Sequence, residues 1–276
     1  MKKGEVIVMG IGLGKRHLTP EVEKQLKRAD IIMGHESFIE QVKDKISSHA
    51  RFIDDSELRK SCKDVEELRK KRTLSAIKAS LNGRTVAFLC GGDPGLFSYA
   101  EPLIIEGHKK RVNIQVVSNI PYAIAAAAKL GAPLREGFAV IALYEARIPI
   151  RQVLEKLELA TIADFVIVLH YPKHEAEIIS EMFPEKLYPE LYPLEKKCVE
   201  RLFIAQRIML KHKKPETPVG IVTFSRDGEP TLHITKLSSL LDYQEHINPY
   251  TTIIIGNSRT RIYGKKMVTV ATDRPV

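Results

Sequence analysis

The chain has 276 residues, 44% of them hydrophobic, and carries 43 Lys plus Arg against 34 Asp plus Glu, a formal net charge of +9. That length supplies core for two domains, and three widely spaced cysteines (Cys62, Cys90, Cys198) with no C-x-x-C exclude a disulfide framework or cysteine zinc site and fit a reducing compartment. Basic residues alternate with acidic ones, as in Lys63-Asp64-Val65-Glu66-Glu67-Leu68-Arg69-Lys70, which weighs against nucleic-acid binding and leaves a surplus suited to steering a small polycarboxylate.

In chain order, Val6 to Met9 reads as a first strand with Gly10-Ile11-Gly12-Leu13-Gly14 as its exit loop. The run is too short and too quickly broken by glycine for a signal peptide, so a cytoplasmic protein is expected, and no apolar segment reaches bilayer length. Thr19 is placed as an N-cap with Pro20 at N1, and Val22, Leu26 and Ala29 share one helical face. Asp30 ends that helix and Ile31 to Gly34 forms a second strand. Asp64 and Glu67 make a capping box for a long helix closed by Asn82-Gly83.

Val86 to Leu89 is the next strand, and it runs into Cys90-Gly91-Gly92-Asp93-Pro94-Gly95. A buried strand ending in glycines and Asp-Pro makes a rigid platform where backbone approaches a ligand closely. Ile114 to Val117 is a further strand, and Tyr122 to Leu130 an alanine-rich helix able to pack closely. Strands resume at Phe138 to Leu143, Phe165 to Leu169, Val219 to Thr223 and Thr252 to Ile255. A helix is expected around Leu202 to Leu210, after an irregular segment or lid from Met182 to Pro193. The alternation predicts an α/β chain of two domains, 1–118 and 119–276.

The first glycine loop lacks the third glycine of a G-x-G-x-x-G fingerprint, because Lys15 stands there. It reads as a tight strand-to-helix turn or a ligand loop of another kind. His170 and His174 have i, i+4 spacing, but Pro172 intervenes and no third ligand is evident, so no metal site is expected. Cys90 reads as strand-end packing. Gly256-Asn257-Ser258-Arg259-Thr260-Arg261 sets two guanidinium forks, suited to carboxylates, beside small polar side chains. The alternative is a surface loop with a structural salt bridge.

Taken together, these pieces resemble the tetrapyrrole methylase family over almost the whole chain. The residues that carry the resemblance are Leu18-Thr19-Pro20, Ala29-Asp30, the GGDPG loop and Leu130-Gly131-Ala132-Pro133-Leu134. They continue with Ala163-Asp164-Phe165-Val166, Thr217-Pro218-Val219-Gly220-Ile221-Val222, Ile255-Gly256-Asn257-Ser258 and Met267-Val268-Thr269. The last four groups resemble the precorrin-3B C(17)-methyltransferase branch in particular. The resemblance implies two α/β domains with a cleft between them, a homodimer, and S-adenosylmethionine bound folded in that cleft. It implies donor contacts from Gly91, Gly92, Asp93, Pro94 and Leu96, with Pro121, Tyr122, His170, Val222 and Thr251 or Thr252 completing the pocket. The substrate would be a polycarboxylate tetrapyrrole, for which Gly12, Lys15, Arg16, His17, Asn257, Ser258, Arg259 and Arg261 are the candidates. No nucleic acid, membrane or metal enters the reading.

The chain departs from the family pattern near the expected pocket. Asn119-Ile120-Pro121-Tyr122-Ala123 stands where P-G-V-T-A is usual, Leu169-His170-Tyr171-Pro172-Lys173-His174 where L-Y-N-P-R-S is usual, and Tyr144-Glu145 where serine and aspartate are common. The stretch around Pro184 to Leu194 resembles an insertion. Methylation in this branch is coupled to ring contraction, which needs proton handling, and Tyr144, Glu145, His170 and Tyr171 are the candidates. The alternatives are another acceptor on the same fold, either a different corrin intermediate or a diphthamide-type protein target, or a binding paralogue without turnover.

Overall fold

The protein is described by a computed structural model, which covers residues 4–63, 65–144, 148–172, 193–225 and 229–274, with backbone alone for 54, 56, 57, 65 and 193–200. Its contacts divide the chain into two units, Met1–Tyr122 and Ala123–Val276. The expected boundary after residue 118 falls just ahead of a segment tied to the first unit, because Asn119 Nδ2 donates to the Gly10 carbonyl at 2.9 Å.

The first unit is a parallel five-stranded sheet in the order β3-β2-β4-β1-β5. The strands are β1 (Glu5–Gly10), β2 (Ile31–Gly34), β3 (Arg51–Asp54), β4 (Thr85–Cys90) and β5 (Asn113–Val117). The central strands β1 and β4 are buried along almost their whole length, as parallel strands covered on both faces must be. Helices α1 (Pro20–Arg28) and α2 (Glu36–Val42) cover one face, through Val22, Leu26, Ile39 and Val42 packed on Ile7, Met9, Ala87 and Leu89. A short α3 (Ser56–Lys60) leads to α4 (Val65–Leu81), which with α5 (Ala100–Lys110) covers the other face, through Ala76, Ile77 and Leu103 packed on Val6, Val8, Val86 and Phe88.

The helix boundaries follow local chemistry. Thr19 caps α1 by accepting from the Val22 N–H at 3.3 Å, with Pro20 at the first helical position, where a missing N–H costs nothing. Glu67 reaches back to the Lys63 N–H at 2.8 Å, while its expected capping partner Asp64 lies outside the described residues. Gly83, at φ +82, ends α4.

The second unit carries a sheet in the order β10-β9-β11-β8-β7. Strands β7 (Phe138–Ala142) and β8 (Val166–His170) pair in parallel, and β9 (Pro218–Thr223), β10 (Thr231–Lys236) and β11 (Thr251–Ile255) join antiparallel. Helices α7 (Ile150–Ile162) and α8 (Pro193–Leu210) cover one face, on which Leu157, Leu202 and Met209 pack against Ile167, Leu169, Ile221, Ile253 and Ile255. The alanine-rich α6 (Tyr122–Leu130) belongs to the opposite face, since Leu130 sits over Gly220, whose ideal Cβ would lie 2.3 Å from Leu130 Cδ1. Of the expected irregular stretch, 182–192 lies outside the described residues and Pro193 opens α8.

A third, small sheet joins β6 (Gly131–Ala132), β12 (Thr260–Tyr263) and β13 (Lys266–Thr269) in the order β12-β13-β6. Leu130-Gly131-Ala132-Pro133 and Met267-Val268-Thr269 meet there, and Thr269 Oγ1 donates to the Pro133 carbonyl at 2.6 Å. No helix among the described residues is long and apolar enough to cross a membrane.

Candidate functional site

Strand β1 leads to α1 on one face of the first sheet and its neighbour β4 leads to α5 on the other. Adjacent strands whose chains leave in opposite directions open a crevice at their carboxyl ends, where ligands bind in open α/β sheets. The two glycine loops meet at this point. Gly12 and Gly92 form an antiparallel bridge, with Gly92 N donating to Gly12 O at 2.9 Å and Gly12 N to Gly92 O at 3.2 Å. Gly12 has φ +62 and Gly92 has φ +61, a region that side chains other than glycine rarely enter.

Asp93 holds this loop in shape. Its Oδ1 accepts from Gly95 N at 2.8 Å, and its Oδ2 accepts from Asn119 N at 3.1 Å and from the Ser118 hydroxyl. Only an acceptor on both oxygens suits these donors. Sequence reasoning missed Ser118 and Asn119 as its partners, because they follow β5 and only the fold brings them to β4. At the far end of the loop, Pro94 O accepts from Ala100 N at 3.0 Å. Arg69 donates to the Ser98 carbonyl at 2.5 Å and Arg72 to the Tyr99 hydroxyl at 2.6 Å, and both guanidinium groups lie over the Tyr99 ring. Arg72 is also ion-paired with buried Asp55. Cys90 is 2% exposed and burial pushes its thiol up to about 11, so it packs the strand end and is no thiolate nucleophile near neutral pH.

Tyr122 approaches the same loop. An ideal Cβ on Gly92 would lie 3.0 Å from Tyr122 Cδ2, and one on Gly91 would lie 3.4 Å from the Tyr122 hydroxyl oxygen and 3.3 Å from Phe38 Cζ. Of the basic residues after β1, Lys15 forms an exposed ion pair with Asp44 at 2.7 Å. Arg16 is exposed, and His17 packs its Cβ close to Gly12.

In the second unit, His170, Thr252 and Val222 form one row on the sheet face that carries α6. Thr252 pairs with Val222, and the β11-β8 ladder, extended by one residue, sets Thr252 opposite His170. Thr251 points to the other face, where its hydroxyl lies 2.8 Å from that of Thr223 and accepts from Asn248 N at 2.9 Å. Of the two threonines expected near the donor, only Thr252 shares the row.

Tyr144 follows β7, His170 ends the neighbouring β8 and Tyr171 follows it, and Leu143 N donates to His170 O at 2.9 Å. The His170 and Tyr171 rings are 4.1 Å apart between centroids, and Arg201 lies 4.5 Å from the Tyr144 ring centroid. Glu145 lies outside the described residues, as does His174. His170 is 6% exposed, and burial lowers its imidazole from 6.5 to about 4. The ring is therefore neutral at physiological pH, the form that accepts a proton at its unprotonated ring nitrogen.

The side chains of the closing motif are engaged locally. Arg259 spends its fork on main-chain carbonyls, with Nε on Val270 O at 3.0 Å and Nη2 on Ala271 O at 2.6 Å and Arg274 O at 2.5 Å. A guanidinium suits a ladder of carbonyls as well as a carboxylate, and here it fastens the chain's last residues. Asn257 Oδ1 accepts from Arg259 N at 3.0 Å, and Asn257 N donates to Thr260 Oγ1 at 2.8 Å. Ser258 donates through N and Oγ to Asp164, and the nearby Lys213, lowered by burial, reaches the Phe165 carbonyl at 3.0 Å. Exposed Arg261 donates to the Ser258 and Thr260 carbonyls, both at 2.9 Å. These hydrogen bonds knit the motif to Asp164 and to residues 270–274.

The arrangement agrees with relatives of known name. The model of the Tetrapyrrole (Corrin/Porphyrin) Methylases matches residues 5–195. The chain is 28% identical over 274 residues to the cobalt-factor III methyltransferase of Priestia megaterium, covering 97% of this chain and 45% of that protein. It is 26% identical to the probable cobalt-factor III C(17)-methyltransferase of Salmonella typhimurium, covering 95% of this chain and 96% of that one. The chain thus spans under half the length of the first relative and nearly all of the second. Among solved structures, the methyltransferase CobJ superposes with a TM-score of 0.76 at 23% identity, over 97% of this chain and all of that one. A uroporphyrin-III C-methyl transferase from Thermus thermophilus complexed with S-adenyl homocysteine gives 0.60 at 18% identity, over 92% of this chain and 97% of that one. With the sheet order, the paired glycine loops and a family match over most of its length, the chain belongs to the tetrapyrrole (corrin/porphyrin) methylase family.

Proposed function

We propose that the chain is an S-adenosylmethionine-dependent C-methyltransferase acting on a precorrin or cobalt-precorrin at C-17, with coupled ring contraction, in cobalamin biosynthesis. The observation that carries this reading is the Gly12–Gly92 bridge at the switch point of the first sheet, in a member of this methylase family. The backbone there is bare of Cβ atoms and locked by Asp93, which suits the close approach of a polar ligand.

The donor brings an electrophilic sulfonium methyl, and a reduced tetrapyrrole carbon is already nucleophilic. What the chain adds is position, and holding two reactants in line can remove about 7 to 11 kcal/mol of barrier. Residues 91–96 hold the donor in this reading. Exposed Arg16 and Arg261, with Lys15, attract peripheral carboxylates. Tyr144, Glu145, His170 and Tyr171 are the candidates for proton handling, with His170, held neutral by burial, suited to accept a proton. A cytoplasmic homodimer completes the proposal, and sedimentation velocity tests the dimer.

The direct test is transfer of labelled methyl from S-adenosylmethionine to cobalt-factor III or precorrin-3B, with mass and absorbance reporting a contracted ring. Transfer only to another corrin intermediate or to a protein would redirect the substrate assignment. Donor uptake without transfer to any acceptor would make the chain a binding paralogue.

A further inference from the structure

The Cβ-free side of the Gly91–Gly92 pair, against which the donor lies in the proposed reading, is taken by the chain itself. The Tyr122 ring runs along the pair, its Cδ2 and Cε2 lying 3.0 and 3.3 Å from the position of a Cβ on Gly92 and its hydroxyl 3.4 Å from one on Gly91. A ring this near the positions that a Cβ would occupy lies against the glycine main chain and leaves no space for a second group between them. The mount of the ring is stiff. Asn119 is fixed to Asp93 at 3.1 Å and to the Gly10 carbonyl at 2.9 Å, Ile120 N donates to Asn119 Oδ1 at 2.7 Å, and Pro121 then leads into α6. The backbone of Tyr122 is thereby held over the loop, and the ring retains only its two side-chain torsions.

We propose that Tyr122 is an internal competitor at the donor site: its ring covers Gly91 and Gly92 and must rotate away before a sulfonium donor can lie against them. The proposal rests on the reading that this loop holds the donor. Tyr122 then sets donor affinity, because apparent binding is weakened by the fraction of chains whose site is open. If the ring is down in about nine chains of ten, the apparent Kd is raised about tenfold. Removing the ring restores that factor, whereas a wall or a direct contact would lose affinity on removal.

The test is calorimetric titration of the full chain with S-adenosylhomocysteine, comparing the parent with Tyr122→Ala and Tyr122→Phe. The expected result is binding about tenfold tighter in Tyr122→Ala, with Tyr122→Phe close to the parent because it keeps the ring. Tyr122→Thr gives the same reading should the alanine chain not fold. Equal or weaker binding by the small-residue variants, while the parent binds, overturns the competitor role and leaves the donor-loop reading standing. Binding by none of the folded chains overturns that reading itself.

Discussion

His170 offers a quantitative test of how deeply the β8 row is buried. Its imidazole is lowered by burial from 6.5 to about 4. Above pH 6.5 the ring is neutral in folded and unfolded chains alike and adds no pH dependence. Below that value the unfolded chain takes up a proton that the folded chain refuses, so stability falls as pH drops toward 4 and levels off beneath it. The full gap corresponds to about 3 kcal/mol, and about 2 kcal/mol of it is lost by roughly pH 5. His170→Leu removes the titrating group while keeping an apolar side chain beside Val168. Urea unfolding of parent and variant, followed by circular dichroism at about pH 7.5 and about pH 5, separates this group from the carboxylates common to both. The parent should lose about 2 kcal/mol more than the variant across that interval. A difference below about 0.5 kcal/mol would refute the reasoning and mean that the ring is solvated or charge-compensated.

Three further outcomes follow from the same geometry. Asp93→Asn should be nearly as damaging as Asp93→Ala, because an amide must turn its NH₂ toward Gly95 N or Asn119 N; stranding one donor costs about 1–3 kcal/mol, and both variants should weaken S-adenosylhomocysteine binding in calorimetry. Arg259→Ala should lower stability by about 2 kcal/mol in urea melts while leaving the substrate KM of the surviving folded enzyme unchanged, and a raised KM at parent stability would return Arg259 to substrate binding. Gly220→Ala should cost about 1–3 kcal/mol by urea unfolding, since its Cβ has to displace the fully buried Leu130.

The parts legible in the sequence were those where one physical rule dominates. Strands β1, β4, β8, β9 and β11 are central and covered on both faces, so they read as apolar runs. Thr19-Pro20 and Asn82-Gly83 carry helix-end chemistry of their own. Edge pieces escaped for the opposite reason. Strand β10, Thr-Leu-His-Ile-Thr-Lys, and the hairpin of β12 and β13 have exposed faces and polar residues, and β3 opens with Arg51 at the sheet edge. The motifs that carried the family resemblance proved largely structural: Asp164 holds Ser258, Thr269 holds Pro133, and Gly256 leaves room for Thr260. The partners of Arg259 were not legible, because its donor fork has the same shape whether it meets a ligand or main-chain carbonyls. Tyr122 was visible as an unusual residue, but its position on a loop some thirty residues earlier depends on the order β4-β1-β5, which no local pattern states.

The central claim is that the loop bridged to Gly12 and stapled by Asp93 takes up a sulfonium donor. Equilibrium binding of S-adenosylhomocysteine to the purified chain tests this most directly. The account predicts saturable uptake at one site per chain that is strongly weakened in Asp93→Ala. No uptake by folded parent protein, or uptake indifferent to Asp93, would contradict it.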